Sequence, residues 1–482
     1  MRVYACIIGC LLAMSMMAAP PRMRDGIVPQ DSGVRSQEPH KVLRVPQAIG
    51  KINLAPRGLV ILVSYSDLAF EVENDSAAMS DMLNKEGYNY NGATGSARDY
   101  FIAQSNGTYT PEFDVVGPVT LTHERAFYGG NIGGRGTDKN PQQMIVDACQ
   151  AVDTKVNFAQ YDNDDDGKID FVYVLFAGIG ENDINGEPDA IWPHNSSVSG
   201  KGCYLDGKLL DNYACSGEIN GNIHARNGIG TICHEFGHVI GLPDYYDTTP
   251  GGGTNWDEGV TPNNWSVMDQ GCYNNEGNTP PNYSIFDKYF MGWATPQFLA
   301  KDAARTITMG TDYDEGYQIS GGDAIVPFSC TDSVYYIENR QPAGWDAYLP
   351  GHGMIVWRVV YDASAWNGNT LNKTARKPRL TLIAADGSTV IGSIAELNHT
   401  GKADPFPGEA EIHSWTAFEG CVLTGIEEIS GAIRFKFNGG EPETSVESQE
   451  VRGKSQKMLK NGQLIIIRGN QIYDSIGQLI NN

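Results

Sequence analysis

The chain has 482 residues, 41% of them hydrophobic, with 58 acidic against 35 basic side chains and a formal net charge of -23. That length exceeds one compact core and suits two or three domains of about 100–200 residues each. The acidic balance gives no electrostatic pull toward nucleic acid or an anionic membrane, and 56 glycines with more tyrosine (23) than phenylalanine (16) argue against a mainly helical protein.

In chain order, Arg2 precedes an apolar run from Val3 to Ala19 that ends in the small residues Ala18 and Ala19. This is the pattern of a secretory signal peptide over residues 1–19, and the protein is expected to be secreted or held at the cell surface. Residues 20–56 are polar and rich in Pro, Arg and Gln, and read as a leader or pro-segment. Gly58 to Val63 is a continuous apolar run of strand length. Ala77 to Leu83 has helical spacing, Ser96 caps a second helix, and Asp114 to Leu121 reads as a strand. Pro141 opens a helix that runs to Val152, and Phe171 to Phe176 is another buried strand. Strands alternating with helices over residues 57–296 indicate a mixed α/β unit. From 297 to 438 short alternating segments such as Ser333 to Glu338 and Gly353 to Val360 indicate a β-rich unit. The expected fold class is therefore α+β, with a zincin-like mixed α/β catalytic domain followed by a β-rich domain. Residues 439–456 read as a linker and 457–482 as a short β-type tail. No segment after the signal is long and apolar enough to span a bilayer. Of nine cysteines, Cys6 and Cys10 lie in the signal; Cys203 and Cys215 could bridge a loop, and a buried free thiol is the default for the others.

His234-Glu235-Phe236-Gly237-His238 is an HExxH motif. On a helix, residues four apart share a face, so both imidazoles reach one ion and Glu235 sits beside it. Zinc held by three protein ligands keeps a position open for water, lowers that water's pKa, and lets the Glu act as general base. The surrounding helix offers Ile232, Cys233, Phe236, Val239 and Ile240 for packing, and Gly241 suits a helix end. The chain then turns through Leu242-Pro243 to Asp244, so the run reads HExxHxxGxxD, with Asp244 as third ligand and Asp247 as the competing choice. Met268, in Trp265 to Gly271, is the candidate for a hydrophobic floor under the metal. A pair of ordinary histidines on a helix is the bland alternative, which this context disfavours.

Asp162-Asn163-Asp164-Asp165-Asp166-Gly167-Lys168-Ile169-Asp170 has the DxDxDG opening of a calcium loop. Asp162, Asp164 and Asp166 would converge on the ion, Lys168 would give its carbonyl, and Asp170 a further ligand or a bridging water. Tyr173 stands where a helix-loop-helix hand has its bidentate Glu, so the expected role is a structural brace for the following strand.

These motifs together carry a family resemblance. Gly95 to Phe101 (GSARDYF), DNDDDGKID-FVYV (Asp162 to Val174), IWPH (Ile191 to His194), HEFGHVIGLPDYYD (His234 to Asp247), the turn at Met268, Tyr283 to Trp293 and Ile337 to Gln341 resemble the immune-inhibitor-A family of secreted bacterial metallopeptidases. The resemblance covers roughly residues 57 to 390. It implies a metzincin-related zinc endopeptidase made as a zymogen, with structural calcium, zinc on His234, His238 and Asp244, and Glu235 as base. Some such enzymes have a Tyr two residues after the Met; here Gln270 stands there, leaving His194 or a tyrosine elsewhere as candidates for the oxyanion stabiliser. The tail, Lys457 to Asn482, resembles shortened β-type sorting tails of Gram-negative secretion systems, which implies a secretion machinery as partner. The expected substrates are proteins or peptides, and the expected state is a monomer. Two other functions compete: an inactive secreted binding or adhesion protein on a peptidase scaffold, and a zinc amidase acting on cell-wall peptides.

Overall fold

In the computed structural model, every residue from Leu59 to Val63 is at or below 1% exposure. Such a run belongs to a strand covered on both faces, and it lies inside β2 (Arg57–Ser64), which pairs parallel with both its neighbours in a mixed sheet. The structure describes residues 17–20, 22, 55–133, 136–248, 259–301, 303–321, 332–373, 378–389 and 400–440, with the backbone of three short tail strands. The other residues of the expected signal, leader and linker lie outside that set, as do Cys6, Cys10 and Cys330.

The main sheet also contains β1 (Met17–Ala18), β3 (Glu112–Thr120), β4 (Val172–Ile179), β5 (His194–Ser197) and β6 (Asn212–Asn220). Across the sheet the order is β1-β5-β6-β4-β2-β3, with the short strand Ala225–Arg226 beside β6. The pairs from β6 through β4 and β2 to β3 are parallel. β5 pairs antiparallel with β6, and β1 antiparallel with β5. The second half of the molecule is antiparallel in all but one of its strand pairs, so the chain as a whole is mixed α/β in its first half and β-rich in its second.

Helices α1 (Ser76–Asn84), α2 (Ala97–Gln104), α3 (Pro141–Val152), α4 (Gly230–Val239) and α5 (Ile285–Phe290) flank or adjoin this sheet. α3 begins at its Pro, whose fixed φ suits a first helical turn. It buries Met144, Ile145, Ala148, Cys149 and Val152 on β2 and β3, a spacing that draws one apolar stripe along the helix. Each large apolar side chain buried this way contributes about 1.5–3 kcal/mol. α2 starts with a reciprocal capping box between Ser96 and Asp99. α4 packs on β5 and β6. It is anchored by Phe236, whose ring lies 5.0 Å from Phe101, 5.1 Å from Phe171 and 5.5 Å from Phe113.

In the second half, β7 (Gln297–Leu299), β9 (Gly316–Ile319), β10 (Val334–Arg340), β11 (Gly353–Val359) and β12 (Leu380–Leu382) make a five-stranded sheet in that order, parallel only between β7 and β9. A four-stranded antiparallel sheet runs β8 (Arg305–Met309), β15 (Ala432–Phe437), β14 (Cys421–Ile429), β13 (Ser414–Phe418). Side chains alternate along β10 and β11. Val334, Tyr336, Ile355 and Trp357 join the core of the main sheet, while Tyr335, Ile337, Met354 and Val356 join a second core with Phe435 and Phe437. One sheet thus serves both cores. The tail strands Gln456–Lys460, Gln463–Arg468 and Gln471–Tyr473 form an antiparallel meander. Among the described residues no helix is long and apolar enough to cross a membrane. Among the described residues Cys149, Cys203, Cys215, Cys233 and Cys272 are free thiols.

Candidate metal centre

Helix α4 carries His234 and His238 one turn apart, and Gly241, with φ +113°, lets the chain reverse behind them. The reversal brings Asp244 back: its Oδ1 lies 3.2 Å from Nε2 of His234 and 3.3 Å from Nε2 of His238. The two Nε2 atoms are 3.2 Å apart. All three side chains are buried. They form one of two acidic or imidazole groups among the described residues whose ligand atoms converge as a metal site requires.

Hydrogen bonding fixes which imidazole atoms face inward. Nδ1 of His234 lies 2.8 Å from the carbonyl of Val267, and Nδ1 of His238 lies 2.7 Å from the carbonyl of Leu242. A carbonyl only accepts, so each Nδ1 carries the proton and donates, and both Nε2 lone pairs point at the shared centre. Burial lowers the pKa of His238 and favours its neutral ring. Asp244 is buried beside both rings. Its Oδ1 has no hydrogen-bond partner. Two imidazole lone pairs and an orphaned carboxylate oxygen facing one point are mutually repulsive unless a cation lies between them. The donor set, two N and one O, suits zinc.

Two features support this centre from behind. Asn369 donates from Nδ2 to Asp244 Oδ2 at 2.5 Å and accepts the Asp244 N–H at 2.8 Å. Met268 lies under α4, where a Cβ on Gly237 would meet its sulfur at 2.5 Å, so the helix needs glycine there. The Met268 carbonyl accepts the Tyr245 N–H at 3.0 Å and pins the turn that carries Asp244. Asp247, the competing ligand choice, is not among the converging residues.

Glu235 points into the same space from α4. Burial and the neighbouring Asp244 push its carboxyl well above the ordinary range. Its Oε1 accepts the Ala19 N–H at 3.0 Å, and its Oε2 is buried without a partner. The segment that brings Ala19 there lies along the edge of the sheet. Met17 and Ala18 pair with Asn195 and His194 of β5, and the Ala19 carbonyl accepts from Nε1 of Trp192 at 2.9 Å. Tyr273 donates its hydroxyl to the Pro20 carbonyl at 2.5 Å, and the Arg22 side chain ends between Asp183 and Glu276. His194, a candidate oxyanion stabiliser, is committed inside: Nδ1 lies 2.6 Å from the Trp192 carbonyl and Nε2 2.7 Å from the Tyr213 hydroxyl. Burial lowers its pKa to about 4, so the ring is neutral.

The second converging group is Asp162, Asp164 and Asp166. Asp162 caps the loop through the N–H groups of Asp166 (3.0 Å) and Gly167 (3.1 Å), and Gly167 has φ +89°. Lys208 donates to Asp162 Oδ2 at 2.5 Å, while Lys168 turns its ammonium to Asp211 at 2.8 Å. Asp170 stands outside the group and accepts the Asn163 N–H at 2.5 Å.

Sequence reasoning missed Asn369, which reaches Asp244 from 125 residues away, and the Asp183 and Glu276 carboxylates. No local motif marks any of them.

Comparison with known proteins agrees with this geometry. Residues 58–295 match the immune inhibitor A peptidase M6 catalytic domain. A pre-pro-metalloprotease, PrtV, of Vibrio cholerae is 26% identical over 280 residues, which is 50% of this chain and 29% of that protein. Immune inhibitor A of Bacillus thuringiensis subsp. alesti is 30% identical over 253 residues, 45% of this chain and 36% of that protein. The chain therefore aligns with about a third of the length of these relatives. Through residues 58–295, which hold His234, Glu235, His238 and Asp244, the chain belongs to the immune inhibitor A family of peptidases.

Proposed function

We propose that the protein is a secreted, zinc-dependent endopeptidase with a zincin-like catalytic unit, in which His234, His238 and Asp244 hold the ion and Glu235 is the general base. The observation that carries this reading is the convergence of both Nε2 atoms and the orphaned Asp244 Oδ1 beside the unpartnered Oε2 of Glu235. When bound, zinc supplies a lowered water pKa and polarisation of the peptide carbonyl. Glu235 takes the proton from the attacking water and passes it to the leaving nitrogen. The edge strand β5 holds the substrate extended, as it holds residues 17–18. A precursor form is part of the same reading, because Ala19 covers the base Glu235 for as long as residues 17–22 are in place. Export through residues 1–19, and sorting by the tail from 457 to 482, complete it.

Metal content by mass spectrometry on the processed protein, with casein cleavage measured in the presence and absence of a zinc chelator, tests this. One zinc per chain and chelator-sensitive cleavage are expected. Protein that binds no zinc and cleaves nothing would instead be a binding protein, and cleavage confined to cell-wall peptides would make it an amidase.

We also propose calcium at Asp162, Asp164 and Asp166, with Lys168 and Asp170 contributing at the loop's end. The support is their convergence and the DxDxDG spacing. A melting temperature raised by calcium in the wild type but not in Asp164→Asn is expected. Equal response in both proteins removes the site.

A further inference from the structure

Arg22 is 4% exposed, and it ends in a pocket built by other parts of the chain. Its Nη1 lies 3.4 and 3.3 Å from the two carboxylate oxygens of Asp183, and Nη2 contacts Glu276. The guanidinium carbon stands 5.3 Å from the ring centre of Tyr273, in cation–π range. The Arg22 backbone N–H donates to the Asn182 carbonyl at 2.9 Å.

The walls of this pocket are fixed without Arg22. Asp183 accepts the N–H groups of Ile184 at 2.7 Å and Gly221 at 3.0 Å. Asn222 donates to Glu276 Oε1 at 2.8 Å, and Asn182 donates to the Tyr273 hydroxyl at 2.7 Å. Burial raises the Asp183 carboxyl and the positive charge of Arg22 opposes that rise, so a cation in the pocket favours the ionised form. Two carboxylates held over an aromatic face match a basic side chain in shape and charge.

The register of the bound segment supplies the position. Ala19 donates its N–H to Glu235, the residue that delivers a proton to the leaving nitrogen in the reaction above. Ala19 therefore marks the first residue after the cleaved bond and Arg22 the fourth. We propose that Asp183, Glu276 and Tyr273 form a specificity subsite that selects arginine or lysine at the fourth position on the C-terminal side of the bond. This rests on the peptidase reading.

The test uses the processed protein as secreted and peptides that differ only at that fourth position, with cleavage products identified by mass spectrometry. The Arg and Lys peptides should exceed the Gln peptide in kcat/KM by about tenfold, as a charge-assisted contact supplies, with Glu lowest. Glu276→Gln should shrink the Arg-to-Gln ratio; its carboxylate does not brace the fold as Asp183 does. Binding of the same Arg and Gln peptides to Glu235→Ala protein, measured by calorimetry, separates the two readings. Tighter binding of the Arg peptide supports the subsite even where nothing is hydrolysed. Equal affinity, or equal cleavage of Arg, Gln and Glu peptides by active enzyme, overturns it.

Discussion

Asn369 grips Asp244 at both ends, donating a hydrogen bond to Oδ2 at 2.5 Å and accepting one from the backbone N–H at 2.8 Å. The loop that carries Asn369 belongs to the second half of the chain, and Asn372 beside it donates to the Tyr245 carbonyl at 2.6 Å. The Oδ1 of Asp244 is thereby aimed at the two imidazoles, and its rotation is stopped by a residue with no contact to the centre itself. Partners of this kind are worth about 10–100-fold in metal affinity. Asn369→Ala should therefore lower zinc affinity by about that factor in a chelator competition, Asp244→Ala should lower it further, and Asp247→Ala should leave it unchanged. An Asp247→Ala protein that loses its metal while Asp244→Ala keeps it would reverse the ligand assignment.

Glu235→Ala separates holding the metal from using it. Both histidines keep their carbonyl partners at Val267 and Leu242 in that variant, so the ligand set is intact. Zinc content should match wild type, while cleavage of casein should fall by at least about 100-fold, the scale of a lost general base. The variant should not be destabilised by an unmet charge, because the removed carboxyl has one oxygen without a partner. Retained cleavage with full zinc would move the base elsewhere.

The sequence is informative where chemistry and local geometry coincide. His234, His238 and Asp244 fall within eleven residues, and helix spacing followed by a glycine stop is enough to predict their convergence. Pro141 marks its helix start for the same local reason. The limits lie in long-range pairing. Asn369 and Glu276 are ordinary polar residues until folding carries them to Asp244 and Arg22. The expectation of a separate β-rich unit likewise misses how it attaches. Alternate residues of β10 face two different cores, and period-two alternation of apolar side chains does not reveal which core each face meets. Residues 1–19 read as a signal peptide, and nothing in their composition places Ala19 on Glu235.

The junction between the two halves is held by a buried ion cluster. Arg340 donates to Asp346 at 2.6 and 2.7 Å, to Glu338 at 3.1 Å and to the Asn282 carbonyl at 3.1 Å. Glu338 also accepts from Ile285 N–H and Trp357 Nε1, and Asp346 accepts the Asn282 N–H. Removing the cation leaves two buried carboxylates with no counter-charge, a loss of about 3–5 kcal/mol. Arg340→Ala should show that loss in a denaturant titration. A change within about 0.5 kcal/mol, the range of an ordinary surface substitution, would mean the cluster contributes little.

Glu218 gives the fold a pH dependence remote from the metal. Burial lifts its carboxyl from an ordinary 4.5 to about 7, against the pull of hydrogen bonds from Asn74 (2.7 Å) and the Glu71 N–H (2.8 Å). The folded state therefore holds this proton more tightly than the unfolded chain does. The resulting stability is fully present below the unfolded pKa and is lost as pH rises through about 7. Glu218→Gln keeps an oxygen for both donors and removes the titration. Its melting temperature should fall less than the wild type's between about pH 5 and about pH 8, which thermal melts at the two values would read directly. The only strained contact it introduces is an amide facing the Gly178 N–H, which in the native protein reaches Oε2 at a long 3.4 Å. Parallel pH profiles for the two proteins would show that Glu218 is already ionised in the fold, and that its three donors outweigh burial.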